Sequence, residues 1–332
     1  MRYRDTDHLH ASMRAAYLEN LLVSREELMK AAGASSAEDA FRLLSGKALF
    51  KNSSPGTYEE AFGEALKGSY ELVEEMTQDM GLTYIFRYPI DGHNMKVMVK
   101  SRKAAGDFSG LYKTGGTVGI GVMANELEKG HFYHVPETVG EAGLEAVSLL
   151  AETGDPQAVD IIIDRAVMAE IIRKAAEIDF GLLTEYAAAR VDLTNIKAAL
   201  RLLRIKADVY KAARVLAEGG SFTLKELKEA YTMGYDGIAA LTARLGRSDG
   251  LTEAVESIKR GGSLGLFEQQ AERCFGELFE RASREPFGIG PVISFLYRKE
   301  REIKACRFVL TSKLFNIPSE QIAERLGYFY GD

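Results

Sequence analysis

The prolines of this chain are unevenly distributed, and their distribution constrains the fold more than any other feature. The chain has seven prolines in 332 residues, and none lies between Pro156 and Pro286. That interval is rich in Ala, Leu, Glu, Lys and Arg, which lose little rotamer freedom in a helix. Pro291 precedes a further run from Val292 to Leu314, and a proline at the first helical position removes only an N–H without a helical partner. The sequence therefore predicts an all-α fold.

Several helix starts are indicated by a Ser or Thr followed three residues later by Glu, which is the spacing of a capping box. The pairs are Ser24 with Glu27, Thr57 with Glu60, and Thr223 with Glu226. Alternation typical of strands is nearly absent. Residues 82–88, just before Pro89, read LTYIFRY. We interpret them as a connection between two helices, with a short strand as the alternative.

A six-residue motif occurs twice in the chain, and a weaker third copy follows. The first copy is Asp91-Gly-His-Asn94-Met-Lys96, and the second is Asp192-Leu-Thr-Asn195-Ile-Lys197. The residues that align with them in the third copy are Glu302 and Lys304. A basic stretch follows each motif, and in the third copy it begins at Arg307.

The copies are about 100 residues apart, and a regular period of this kind is typical of a repeated structural unit. The sequence therefore predicts three pseudo-symmetric helical repeats, with boundaries at 1–105, 106–210 and 211–332. We predict that each repeat ends in a long helix that begins at the motif. A scaffold of this kind is more consistent with the repeats than an enzyme with a single cleft.

A pair of glycines follows each of the first two motifs. The segments are Gly115-Gly116-Thr117-Val118 and Gly219-Gly220-Ser221-Phe222, and Asn316-Ile317-Pro318-Ser319 is the equivalent break in the third repeat. A glycine can end a helix in the left-handed conformation. The following Thr117 or Ser221 would then cap the next helix.

Two interpretations of the motif stay open at this stage. In the first, Asp91 and Asp192 cap helices, and Asn94 and Asn195 pair across packed repeats. In the second, the basic residues that follow each motif line a surface for a partner. The basic residues of the first two copies are Lys100, Lys103, Arg201 and Arg204.

Candidate sites for chemistry are weak. Gly115–Gly121 resembles a phosphate-binding loop, but the Gly-Lys-Ser/Thr of that motif is missing and no strand precedes it, so we interpret it as a turn between helices. Cys274 and Cys306 lie on apolar helix faces, where a buried free cysteine is inert. A nucleophilic cysteine needs a positioned histidine, and no histidine follows His134.

Metal binding is the remaining chemical alternative. His131 and His134 are three residues apart, but no third ligand lies nearby in the sequence and Pro136 follows at once. We interpret both histidines as surface or loop residues and assign them no role. We therefore expect no catalytic residue, no metal site, no cofactor and no small-molecule substrate.

Charge and hydropathy restrict the partners. The net charge is −6, which argues against non-specific binding to nucleic acid, because that binding requires a basic face. No apolar run approaches the roughly 20 residues that a membrane helix needs. The segment Met1 to Asp5 lacks an apolar signal core. If the protein serves a membrane, we expect it to do so from the cytoplasmic surface, as a peripheral protein.

The C-terminal third resembles the C subunit of V-type (A/V-type) ATPases, the bacterial and archaeal relative of the d subunit of eukaryotic V-ATPases. The resemblance is strongest at residues 290–307, which read GPVISFLYRKEREIKACR, and continues through Lys313-Leu314 and the segment SEQIAERL at 319–326. The motif at 192–197 resembles the middle motif of the family, and Gly219-Gly220-Ser221 resembles the entry to its third repeat. The first repeat matches more loosely. Ala305 departs from the pattern, because the family often has Asn there.

The resemblance implies three similar helical domains arranged as a funnel. The funnel would sit on the membrane ring of proteolipid subunits and receive the foot of the central stalk, so that it transmits torque for H⁺ or Na⁺ transport coupled to ATP. Such a subunit has no active site. The coupling ion is chosen in the membrane ring, so the sequence indicates neither that ion nor whether the complex mainly makes or consumes ATP. Two alternatives remain: a general α-helical interaction scaffold, and an enzyme that binds a nucleotide at Gly115–Gly121.

Overall fold

A computed structural model describes residues 6–50, 54, 56–103 and 106–330 of the chain. The segment Met1 to Asp5, on which the signal-peptide expectation rested, lies outside these residues. Within the described ranges the regular elements are all helical, which confirms the all-α prediction. Among those same residues, no helix combines the length and the apolar character that crossing a bilayer requires.

Sixteen α-helices and two short 3-10 turns, at Ala48–Phe50 and Ser109–Leu111, make up the described structure. In chain order the α-helices are α1 (Leu9–Glu19), α2 (Arg25–Ala32), α3 (Ala37–Leu44), α4 (Tyr58–Thr77), α5 (Gly81–Ser101), α6 (Ile120–Lys129), α7 (Glu137–Thr153), α8 (Pro156–Ile178), α9 (Gly181–Arg204), α10 (Val209–Val215), α11 (Leu224–Thr232), α12 (Tyr235–Leu245), α13 (Asp249–Lys259), α14 (Gly265–Ser283), α15 (Gly290–Leu314) and α16 (Ser319–Tyr330).

The helices form two compact units. One unit combines the two ends of the chain, residues 1–80 and 265–332, and the other is the continuous segment 81–264. In the first unit α15 is central, because it contacts α1, α2, α3, α4, α14 and α16. In the second unit α5 packs against α6, α7 and α8, while α9 packs against α8, α10, α11 and α12. The three repeats with boundaries at 1–105, 106–210 and 211–332 stay a prediction.

Two of the three predicted capping boxes are present. At Ser24 and at Thr223 the side chain accepts a hydrogen bond from the backbone of the Glu three residues later, and the Glu side chain accepts one in return. The third prediction is wrong, because the Thr57 side chain does not cap α4. Its hydroxyl oxygen instead accepts a hydrogen bond from the N–H of Ser54 at 2.9 Å, in the preceding turn.

The interpretation of residues 82–88 as a connection between helices, or as a strand, is also wrong. They form the first half of α5, and the helix continues through Pro89. A proline inside a helix typically destabilises it by about 3 kcal/mol. Burial of Leu82, Ile85 and Phe86 offsets this effect. The prediction for Pro291 is confirmed, since it lies in the first turn of α15.

Candidate functional site

The two asparagines of the motif make the same contact in two places. The side-chain oxygen of Asn94 accepts a hydrogen bond from the N–H of Lys113 at 2.8 Å, and its nitrogen donates to the carbonyl of Lys113 at 2.9 Å. Asn195 binds both backbone groups of Ala217 in the same way, at 2.9 and 2.8 Å. Both asparagine side chains are buried, and the Ala217 groups that Asn195 binds are buried as well, whereas Lys113 is exposed.

The two aspartates of the motif, one helical turn earlier, bind the same connecting segments further along. Asp91 accepts hydrogen bonds from the N–H and the hydroxyl of Thr117, at 3.1 and 2.6 Å. Asp192 accepts the corresponding pair from Ser221, both at 2.7 Å. We call Asp91 with Asn94, and Asp192 with Asn195, the loop-binding pairs. Each pair fixes one connection to the middle of a long helix.

These contacts correct several predictions. Asp91 and Asp192 are not helix caps, because they lie inside α5 and α9, which begin about ten residues earlier. For the same reason the motifs do not mark the starts of the long helices. The asparagines do not pair with each other, because each binds a loop backbone. Thr117 and Ser221 bind the aspartates, and the residues that precede α6 and α11 are Gly119 and Thr223.

The glycine pairs allow the connecting segments to approach the aspartates. Gly115 and Gly219 have φ of 93° and 101°, in the region that favours glycine. The second glycine of each pair has no such φ, but a Cβ on Gly116 or Gly220 would overlap the carboxylate of the aspartate it faces. The prediction that the pairs end helices is wrong, since α5 and α9 end at Ser101 and Arg204.

We expect Gly220→Ala to lower the free energy of unfolding by about 1–3 kcal/mol, the usual effect of overpacking a tight site. Gly116→Ala should have a similar effect, because its surroundings are the same. Urea unfolding followed by circular dichroism measures the change. Gly121→Ala is the matched control, because it lies in α6 with open space around it. Equal unfolding midpoints for Gly220→Ala and Gly121→Ala would contradict the close approach.

The third motif helix makes a related contact with the other end of the chain. Glu302, buried on α15, accepts a hydrogen bond from the N–H of Val23 at 2.7 Å, and its other oxygen lies 2.5 Å from Nζ of Lys299. Val23 immediately precedes Ser24, the residue that caps α2. Glu302, which the sequence aligned with Asn94 and Asn195, therefore also binds the backbone of a segment that leads into a helix.

Burial raises the pKa of both aspartates of the loop-binding pairs above the ordinary value, although their hydrogen bonds oppose the shift. A carboxyl group with a raised pKa keeps its proton in the folded state at pH values where the unfolded chain has lost it. Its contribution to stability therefore falls as the pH rises from the usual Asp pKa, 3.8, through the raised value.

We accordingly expect the stability of Asp192→Asn relative to the wild type to increase as the pH rises above about 4. The amide keeps a hydrogen-bonding side chain of the same shape but does not ionise. The measurement is the unfolding free energy of both proteins at several pH values between 4 and 7. Asp249→Asn, on an exposed residue at the start of α13, is the control. A constant difference between Asp192→Asn and the wild type across this range would rule out the raised pKa.

The basic residues at the end of the first motif and after it bind to other residues of the unit 81–264. Lys96 forms a salt bridge with Asp164 at 2.7 Å, and Lys100 forms one with Asp160 at 2.5 Å. Both aspartates belong to α8, so these lysines connect α5 to α8. Lys103 donates a hydrogen bond to the carbonyl of Ala151 at 3.1 Å.

The remaining predicted residues differ in their surroundings. Lys197 is half-buried, and Lys304 is exposed beside a shallow groove lined in part by Phe308 and Phe315. Arg307 forms a salt bridge with Glu59 on α4 at 2.8 Å and lies over the ring of Phe62. The structure therefore brings Asp, Asn or Glu of each motif to a loop, while the lysines and Arg307 lie elsewhere.

The glycine-rich loop at 115–121 is occupied by the protein's own side chains. Asp91 accepts hydrogen bonds from the N–H groups of Thr117 and Val118, the kind of donor that a phosphate would need. The Arg87 guanidinium donates to the carbonyls of Gly115 and Gly116 at 3.1 and 2.6 Å. These contacts favour the turn interpretation over a phosphate site.

The histidines and cysteines have structural surroundings. Nδ1 of His134 lies 2.6 Å from the buried carboxylate of Glu126, which also accepts the N–H groups of His134 and Val135. Within the described ranges, no three His, Cys, Asp or Glu residues are grouped as metal ligands. Cys274 and Cys306 are both buried, as predicted, and burial raises the pKa of the Cys306 thiol.

A repeated element lies at the ends of α9 and α15, and the sequence analysis predicted only the second of these ends, as the break that begins at Asn316. Lys206 and Asn316 have positive φ, 54° and 53°, immediately after these helices. In both places the next N–H bonds back to the helix, from Ala207 to Leu202 and from Ile317 to Ser312, each at 3.0 Å. This is the pattern of a Schellman helix end, for which glycine is the usual signal. Neither residue is a glycine, but Asn316, followed by Pro318, is a weaker signal of a helix end, whereas Lys206 carries none.

Comparison with known proteins gives consistent matches. A family model described as ATP synthase (C/AC39) subunit matches residues 12–325. The C subunit of the V-type sodium ATPase of Enterococcus hirae is 23% identical over 263 residues, 79% of each chain. The C subunit of the A-type ATP synthase of Methanocaldococcus jannaschii is 23% identical over 293 residues, 82% of this chain and 72% of that protein. That of Methanothermobacter thermautotrophicus is 28% identical over 178 residues, 51% and 46% of the two chains.

Proposed function

Because the chain belongs to the family of ATP synthase (C/AC39) subunits, we propose that it is the socket subunit of a rotary ATPase. The members of this family are C subunits, which are non-catalytic accessory subunits of A/V-type ATP synthases. In our proposal the chain links the central stalk to the membrane proteolipid ring, so that transport of H⁺ or Na⁺ is coupled to ATP. It would act from the cytoplasmic face of the membrane, as a peripheral protein.

The observation that carries this proposal is the buried attachment of connecting segments to long helices. The loop-binding pairs attach two connections to α5 and α9, and Glu302 attaches the segment before α2 to α15. Hydrogen bonds in a buried setting are strong and directional, and close-packed interiors deform little. A subunit that transmits torque without doing chemistry needs this kind of rigidity.

Helix packing supports the three-repeat part of the proposal. α5 packs against the helices that follow it, α6 to α8, and α9 packs against α10 to α12. α15 packs in the same way against α2, α3 and α4, which lie at the other end of the chain. In our proposal the third repeat is therefore completed by the N-terminal segment, and the units begin at α5 and α9 rather than at the predicted boundaries 105 and 210. The funnel arrangement belongs to the same proposal.

A pull-down from native membranes tests the proposed partners. A tagged copy of the full chain should co-purify with the stalk subunits and the proteolipid ring of a rotary ATPase. Recovery of unrelated proteins without any rotary subunit would instead support the general interaction scaffold. The Gly220→Ala variant serves as a comparison, because it is expected to weaken the scaffold while leaving the surface unchanged.

A further inference from the structure

A cluster of basic residues surrounds the turn between α9 and α10. We call it the basic corner, and it consists of the cations Arg201, Arg204, Lys206, Lys211 and Arg214 with the apolar or aromatic residues Ile205 and Tyr210. All seven side chains are exposed. This concentration of positive charge stands out in a chain whose net charge is −6.

Little negative charge from the chain itself balances four of the five cations of the corner. Within the part of the chain that the structure describes, Arg204, Lys206, Lys211 and Arg214 form no salt bridge. The only acid between residues 201 and 214 is Asp208, whose side chain accepts a hydrogen bond from the N–H of Lys211 at 2.8 Å as the cap of α10. By contrast, Lys96 at the end of the first motif and Lys100 after it are both paired with aspartates.

The corner also exposes apolar surface in a fixed position. The exposed fraction is 64% for Ile205 and 82% for Tyr210. The backbone between them is held by the Schellman hydrogen bonds of Lys206 and Ala207, and the Tyr231 hydroxyl donates to the carbonyl of Ala207 at 2.7 Å. These side chains therefore project from an ordered turn. An ordered basic turn with exposed Ile and Tyr is suited to a partner that is both anionic and partly apolar.

We propose that the basic corner docks on the anionic phospholipid headgroups of a membrane surface. The proposal rests on the proposed function to the extent that this function brings the chain to a membrane. Cations near an anionic bilayer gain binding energy individually, so they need no matched geometry. Tyrosine and isoleucine beside them fit the boundary between headgroups and acyl chains.

A lipid surface fits the corner better than an acidic protein does. Protein partners typically recognise arginine through carboxylates at fixed positions, with paired hydrogen bonds. The cations of the corner are instead distributed over the end of α9, the turn and α10, on long exposed side chains. Laterally mobile lipids can gather around cations in such an arrangement.

Vesicle sedimentation with the purified full chain tests the proposal. We expect binding to vesicles of phosphatidylglycerol and phosphatidylcholine, weak binding to phosphatidylcholine alone, and loss of binding at high salt. The test variant is Arg204→Glu with Lys211→Glu, which avoids the positive φ of Lys206. Each basic residue near such a surface contributes roughly fivefold to the affinity, so the double variant should bind at least about 25-fold more weakly.

The control is Lys225→Glu with Lys228→Glu, which changes the net charge equally on exposed residues of α11. It should bind like the wild type, and circular dichroism should show that both double variants are folded. Equal binding of the wild type to the two kinds of vesicle would overturn the proposal. Equal loss of binding in the test and control variants would also overturn it, because total charge would then explain the binding.

The outcomes separate this proposal from the proposed function. If the chain does not bind vesicles but the test variant fails to assemble with rotary subunits, the corner contacts an acidic protein surface. The lipid proposal then fails while the proposed function stands. If the chain binds anionic vesicles through the corner but the pull-down yields no rotary subunit, the lipid contact stands and the proposed function fails.

Discussion

Deletion of this subunit should abolish ATP-driven ion pumping and leave ATP hydrolysis by the catalytic head largely intact. In the proposed function all torque between head and ring passes through this chain, so its loss disconnects them mechanically. The head hydrolyses ATP without the ring, because the chemistry takes place in other subunits. The measurement compares ATP hydrolysis and ion uptake in membrane vesicles that contain or lack the subunit.

Re-addition of the purified chain is the control for this experiment, and it should restore pumping without a matching rise in hydrolysis. Full pumping by a complex that lacks the subunit would exclude the socket function. Loss of hydrolysis together with pumping would indicate that the head itself depends on this chain for assembly. The deletion therefore tests coupling separately from the pull-down, which tests only association.

Features that depend on neighbouring residues were predictable from the sequence. The proline-free interval predicted helices, and its residues are helical apart from the connections between helices, the longest of which is 216–223. The capping boxes at Ser24 and Thr223 formed because their partners lie three residues away. The resemblance to the C subunits of rotary ATPases is confirmed by the family match over residues 12–325.

Features that depend on distant residues were not predictable in the same way. The short spacing of Asp91 and Asn94 suggested a helix start, but their partners are in a connection some 20 to 30 residues later. Aspartate has the same local preference whether it caps a helix or binds a loop. Only the folded chain decides between these roles.

The third motif shows the limit most clearly. Glu302 binds Val23, 279 residues away in the sequence, and no local signal links the two. Lys299 occupies the position where the other copies have aspartate, so a partly buried charge pair replaces an aspartate and an asparagine. The alignment of Glu302 with the asparagines depended on spacing alone, and spacing did not reveal that it would bind the opposite end of the chain.

Replacement of Asn195 by leucine should be among the most destabilising single changes in the chain. Leucine has a similar size but no polar group, so the N–H and the carbonyl of Ala217 would both lose their partner. Ala217 is itself buried. An unsatisfied buried backbone group costs about 1–3 kcal/mol, so we expect the free energy of unfolding to fall by about 2–5 kcal/mol.

Urea unfolding measures this loss, and amide hydrogen exchange at residues 216–218 locates it. Thr194→Leu is the matched control, because Thr194 is exposed on the same helix and should change stability by less than about 0.5 kcal/mol. Asn94→Leu removes the equivalent two hydrogen bonds from Lys113 and should be less damaging than Asn195→Leu, because Lys113 is exposed and water can replace the lost partner. If Asn195→Leu unfolds like Thr194→Leu, the loop-binding pair contributes nothing to stability. The rigidity on which the proposed torque transmission rests must then come from apolar packing alone.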